Sequence, residues 1–171
     1  PAATAGPNWG VVSLPPSNGR LGRVAWSSIG HETAGHDILR ADKGLLAETI
    51  GAIRAALQKD KDTRDLASYW ASRVDETASD VLGILNMGPA AGIGLIGFFR
   101  GLNAAFGGPS ALRNNGPESD PHPADIVRGF LAAEVVRQLE FSKASDWADM
   151  IEGETLHDVT SIRLAGASVP T

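Results

Sequence analysis

From Val81 to Phe99 the chain carries no charged residue. A run of that length is too long for one ordinary strand and has to be buried as helix or placed in a membrane. Gly88-Pro89 cuts it, and Gly92, Gly94 and Gly97 loosen its second half. Proline lacks an N–H and pushes the residue before it out of the helical region, so the run predicts buried helix with a tight bend near Pro89 and not a transmembrane segment.

The rest of the chain has to wrap that run. Leu45, Leu46, Ile50, Ile53 and Leu57 recur at helical spacing and predict a helix over Leu45–Gln58. Further helices are predicted over Leu21–Leu39, Arg64–Asn86 (capped by Asp62 or Thr63), Ala90–Ala105, Ala124–Phe141 and Ser145–Ile151. Asn8–Leu14 is β-prone and stops at Pro15-Pro16, and Val159–Val169 alternates as a final strand would. Gly107–Pro123 is dense in Gly, Pro, Asn, Ser and Asp and predicts the longest loop, a candidate cleft rim. The expected fold is mainly α: one compact helical domain over residues 1–171, with residues 1–7 a flexible N-terminal segment and short β segments near the termini.

Composition removes several functions. With 171 residues, 43% hydrophobic and 20% charged, the chain can bury one core. A net charge of -5 without a basic cluster excludes a nucleic-acid partner. The absence of cysteine excludes thiolate zinc sites, disulfides and a cysteine nucleophile. A start at Pro1, together with the lack of cysteine, leaves the compartment open while tilting the expectation towards a secreted or periplasmic protein. Gly92–Gly97 (G-I-G-L-I-G) follows no strand and lacks a later acidic partner, so it does not read as a nucleotide loop.

The segment Gly30–Asp37, G-H-E-T-A-G-H-D, carries the chemistry. In H-E-x-x-H zinc peptidases two histidines one helical turn apart hold the metal, and the glutamate between them faces the water. Here His31 and His36 are five apart, which a regular α-helix splays by about 140°. A one-residue π-type bulge brings both to one side, and Gly35 is the residue expected to let the backbone deform there. Without a metal, the same pair would be two hydrogen-bonded imidazoles on a helix. Further on, Asp75–Asp80 reads D-E-T-A-S-D, with Glu76 and Asp80 on one face of a predicted helix. Taken alone, this could be an ordinary solvated acidic face.

His31, Glu32, Gly35 and His36 resemble the H-E-x-x-G-H motif of the dipeptidyl peptidase III family. Glu76-x-x-x-Asp80 resembles the E-x-x-x-D element of the Glu-zincins, whose thermolysin-like members read N-E-x-x-S-D. The resemblance implies one divalent ion, zinc, held between two helices by His31, His36 and Glu76, with Asp80 orienting a histidine and Glu32 as general base. Asp37 and Asp158 are substitute ligand candidates. Ser119-Asp120-Pro121-His122-Pro123 followed by Arg128 is similar to an S-x-H-P-x-x-x-x-R element found downstream in several such peptidases. It implies that His122 or Arg128 faces substrate; His157 is a further candidate to stabilise an oxyanion. The function so implied is a zinc-dependent peptidase or related hydrolase acting on a peptide or protein. The competing expectation is a non-catalytic metal-binding or partner-binding helical module with a degenerate peptidase site.

Overall fold

The computed structural model describes residues 3–4, 10–12, 26–116, 119–159, 162–164 and 167–169. The protein is mainly helical, as its apolar periodicity requires. Helix α1 covers residues 26–41 and consists of α-helical Trp26–Gly30, a π-helical turn His31–His36, and α-helical Asp37–Ala41. Then come α2 (Leu45–Lys59), a 3-10 turn (Arg64–Leu66), α3 (Ala67–Ala71), α4 (Val74–Met87), α5 (Pro89–Ala105), α6 (Asp125–Arg137) and α7 (Ala144–His157). Ala3–Thr4 pairs with Gly10–Val11, and Ile162–Leu164 with Ala167–Val169, both antiparallel. Residues 1–2 and 5–7 of the expected N-terminal segment, and most of the expected strand Asn8–Leu14, lie outside the described residues, as does the start of the helix expected from Leu21.

The uncharged run folds as the proline demands. Gly88 ends α4 at φ 72°, and Pro89 opens α5 where its missing N–H is not needed. Ile84, Leu95, Ile96, Phe99, Ile126, Val136 and Ile151 fuse α4, α5, α6 and α7 into one core. Among the described residues no helix is long and apolar enough to cross a membrane.

The helix expected over Arg64–Asn86 is in fact broken at Ser72-Arg73. The carbonyl of Tyr69 accepts hydrogen bonds from Ser72 Oγ (2.9 Å) and Arg73 Nη1 (3.3 Å), while the Arg73 amide turns to Trp70. These side chains take the place of the next helical bond, and the Arg73 guanidinium settles 4.0 Å from the centre of the Tyr69 ring. The break lets α4 start afresh at Val74 and lie against α1. In α2, the five apolar positions that define its stripe are half-buried and none is fully buried, so this helix covers the body from outside.

The α1–α4 seam is built from small residues. A Cβ on Gly83 would lie 3.1 Å from the backbone of Gly30 and His31, and one on Gly35 would lie 2.4 Å from Ser79 Cα. The two backbones therefore approach as closely as glycine permits, and this sets His31 and His36 directly over the first two turns of α4.

Candidate metal centre

The five-residue spacing is resolved as a π-turn. The Asp37 amide donates to the Glu32 carbonyl, an i to i+5 bond, and all of His31–His36 is π-helical. At about 4.4 residues per turn, five residues come back to within roughly 50° of the starting direction, against about 140° in an α-helix. The two imidazoles consequently meet edge to face with ring centroids 4.8 Å apart. Gly35 serves this arrangement differently from the sequence expectation. It is not among the glycines with positive φ; what it supplies is the missing side chain that lets π-turn and α4 touch.

Each imidazole is oriented through Nδ1. His31 Nδ1 donates to Asp80 Oδ1 at 2.8 Å, and His36 Nδ1 donates to Asp75 Oδ1 at 2.9 Å. Ser79 Oγ lies 3.2 Å from the same His36 nitrogen while donating to the Asp75 carbonyl. The Nε2 atoms are thereby turned inward onto Glu76: His31 Nε2 is 3.2 Å from Oε2, and His36 Nε2 is 3.6 Å from Oε1. Two ligands each bonded to a tetrahedral zinc lie about 3.3–3.4 Å apart, so these separations bracket what the ion needs. Among the described residues, His31, His36 and Glu76 form a group able to hold a metal ion, with ligand atoms within 4.8 Å of one another.

The carboxylate gives a second sign that a cation fits. Glu76 Oε2 is buried and has no hydrogen bond among the described residues. His31 Nε2 and His122 Nε2 both come within 3.2 Å of it, as ion-pair contacts. A buried carboxylate oxygen left this way is costly unless a cation takes it.

Charges around the centre are strongly coupled. Burial opposes the charge on His31, yet the Asp80 and Glu76 carboxylates beside it outweigh that and lift its pKa to about 9 in the metal-free protein. Burial pushes Glu76 up, and His122 and His31 overcome it, holding the carboxyl well below the usual range. Asp80 is likewise held low against its burial, first by the charge of Arg128 and then by His31. The Glu76 contact, working against burial, raises His122.

The remaining sequence candidates separate clearly. Arg128 is buried and clamps Asp80 with two bonds, Nε to Oδ2 at 2.6 Å and Nη2 to Oδ1 at 2.8 Å, so its Nε–Nη2 edge supports the partner of His31. His122 is half-exposed; its Nδ1 donates to Asp120 Oδ1 at 2.8 Å and its Nε2 lies 3.1 Å from Glu76 Oε2. His157 is exposed at the end of α7 and does not line the cleft beside the centre. Asp37 is exposed, and Asp158 is engaged by Arg100 Nε and the Leu112 amide.

That cleft has a volume of about 540 Å³ and runs from His31 and Glu32 along α5 to the loop carrying Arg113, Asp120 and His122. The size suits a small-molecule or peptide subsite. Glu32 is half-buried in it and has no hydrogen-bond or ion-pair partner among the described residues. Two contributors are not singled out by the sequence reading. Asp75 reads there only as part of an acidic face, although it and Ser79 are one turn apart and so must face the same neighbour. The α5 wall carries no polar signal at all. No family model, curated protein or solved structure matches this chain.

Proposed function

We propose that the protein is a zinc-dependent hydrolase of the peptidase type, with His31, His36 and Glu76 as ligands and Glu32 as general base. One observation carries the reading. Both imidazoles are fixed by a carboxylate at Nδ1 and offer Nε2 to the same glutamate, while Glu32, from the same π-turn, stands unpaired in the adjoining cleft.

Two imidazoles and one carboxylate are a zinc donor set that leaves a coordination position open. When bound, zinc lowers the pKa of a water and polarises a carbonyl oxygen. Glu32 accepts the proton of the attacking water and returns it to the departing amine. Asp80 and Asp75 keep the two imidazoles in the tautomer that presents a bare Nε2. His122, backed by Asp120, is the group placed to donate to negative charge developing in the cleft.

The test is Glu32→Gln. It is expected to cut peptide cleavage by about 10²–10⁴-fold with zinc content unchanged. Undiminished turnover in that variant overturns the mechanism.

The approach of His122 Nε2 to Glu76 Oε2 favours one other reading, a closed site in which His122 becomes a fourth ligand and the metal is structural. His122→Ala separates the two. A closed site predicts lost zinc affinity and a lowered melting temperature, whereas the open site predicts lost turnover with zinc retained.

A further inference from the structure

The loop between α5 and α6 is pinned at two places, and Asn115-Gly116 lies between them. At one pin Arg113 is tied to the start of α6. Its amide donates to Asp125 Oδ2 at 3.0 Å, its Nε and Nη2 reach the same carboxylate at 2.9–3.2 Å, and its carbonyl accepts from the Ile126 amide at 3.2 Å. At the other, Asp120 Oδ1 accepts from the His122 amide and from His122 Nδ1. Neither the Asn115 side chain nor the Gly116 amide makes a hydrogen bond among the described residues. Both residues are exposed and outside any helix or strand, and a Cβ on Gly116 would meet nothing within 4 Å. Asn115 also borders a hollow of about 350 Å³ that shares Asn103, Phe106 and Arg113 with the cleft.

An asparagine before a glycine has a reaction of its own. The glycine amide nitrogen attacks the side-chain Cγ, the bond from Cγ to the side-chain nitrogen breaks, ammonia leaves, and a five-membered succinimide forms. Water then opens one or the other of its two carbonyl–nitrogen bonds, giving aspartate or isoaspartate. Nothing is oxidised or reduced, and water is the only co-reactant. A side chain on the second residue crowds the attack, and a helix keeps the attacking amide in a hydrogen bond; glycine in an open loop removes both obstacles. The other described asparagines keep them. Asn86 and Asn103 sit in helices and give Nδ2 to the Leu82 carbonyl and to Ala111 and Asp125, and Asn114 is followed by another asparagine.

We propose that Asn115-Gly116 is a self-modification site, at which the protein converts an amide on the cleft rim into a carboxylate. The change adds a negative charge two residues from Arg113. In the isoaspartyl product it also lengthens the main chain by one atom between the pins that place Arg113 and His122. The modification goes beyond the hydrolase reading and does not depend on it.

The test is to age the unsubstituted protein at neutral and at mildly acidic pH, digest it with trypsin beside a fresh sample, and read the peptides by mass spectrometry. The peptide Asn114–Arg128 is expected to gain the mass of O over NH in two isomers, faster at the higher pH, with fragmentation placing the change at Asn115. Isoelectric focusing of the intact protein should show the added negative charge. Gly116→Ala, which the open space there accommodates, should slow the conversion by about tenfold or more. Asn18-Gly19, outside the described residues, falls in a separate peptide and is scored by itself. A denatured sample gives the rate of the unhindered chain. Conversion of Asn115 in the denatured sample alone, or in neither, overturns the proposal. So does conversion at Asn86, Asn103 or Asn114 as fast as at Asn115, or a Gly116→Ala protein that converts as fast as the parent.

Discussion

Gly35→Ala should destabilise the protein, although every local rule says the opposite. Alanine is preferred over glycine inside a helix by roughly 0.5–1 kcal/mol, and Gly35 sits in the middle of α1. The structure reverses the sign. The added Cβ would lie 2.4 Å from Ser79 Cα, 2.4 Å from its Cβ and 2.7 Å from its Oγ. Ordinary carbon contacts begin near about 3.5 Å, so the seam must open by about 1 Å. Overpacking of this kind costs about 1–3 kcal/mol, which for a chain of this size lowers the melting temperature by roughly 2–12 °C. The same movement lifts His36 away from Asp75 and Ser79, and loss of such partners costs about 10–100-fold in metal affinity. Circular dichroism on heating and zinc competition against a chelator read the two effects. Gly51→Ala is the control: its Cβ would meet nothing within 4 Å on the outer face of α2, and it should stabilise slightly. Ser79→Gly should not rescue Gly35→Ala, because the offending Cα remains. A Gly35→Ala protein as stable as the parent with unchanged zinc affinity, or rescue by Ser79→Gly, refutes the claim that backbone contact at this seam builds the site.

Zinc binding should release a proton near neutral pH, since His31 titrates at about 9 without metal; calorimetry in two buffers of different ionisation enthalpy counts it, and affinity should climb with pH up to about 9 and then level off. The sign for metal-free stability comes from the same shift. The folded pKa lies above the unfolded value of 6.5, so the contribution is complete below pH 6.5 and lost as pH rises through about 9; the melting temperature of chelated protein should fall over that window, and an unchanged melting temperature would contradict the buried His31–Asp80–Glu76 arrangement. Asp80→Asn strands the Arg128 charge in the core and should cost about 3–5 kcal/mol in urea unfolding. Asp75→Asn removes a more exposed partner, so it should cost little stability but about 10–100-fold in zinc affinity; a large loss of fold there would show that Asp75 is structural and not an orienting group.

How far the fold and the site can be read from sequence depends on the physics of each signal. The π-turn is legible because two facts conflict within six residues: a zinc-type H-E…H pattern and a spacing that an α-helix cannot use. The bend at Gly88-Pro89 is legible because proline restricts its own backbone and its neighbour's regardless of tertiary context. The break at Ser72-Arg73 is not. It depends on a guanidinium finding the Tyr69 ring and carbonyl, and neither Ser72 nor Arg73 carries a breaker signal. Helix α7 runs past the predicted end at Ile151 for a similar reason, since Glu152–His157 is polar on its outer side and is held by Thr155, which is fully buried against Gly129 of α6.

Arg128 shows why a place in a motif does not yet give a residue its role. Its place after His122 suggests a group that faces substrate, and it does border the cleft. Whether a guanidinium in a cleft is available depends on what it is paired with, and pairing is a property of the fold and not of the spacing. Here Asp80 is fully buried and needs both a donor and a counter-charge; His31 supplies one hydrogen bond, and Arg128 supplies two more with its charge. Lying 4.4 Å from the centre of the Phe99 ring, Arg128 also ties the support of His31 to the apolar wall of the cleft. The geometry of His31 and the wall of the cleft are therefore joined through one buried cation, and a substitution that moves Phe99 should be felt at His31 as well as in the cleft.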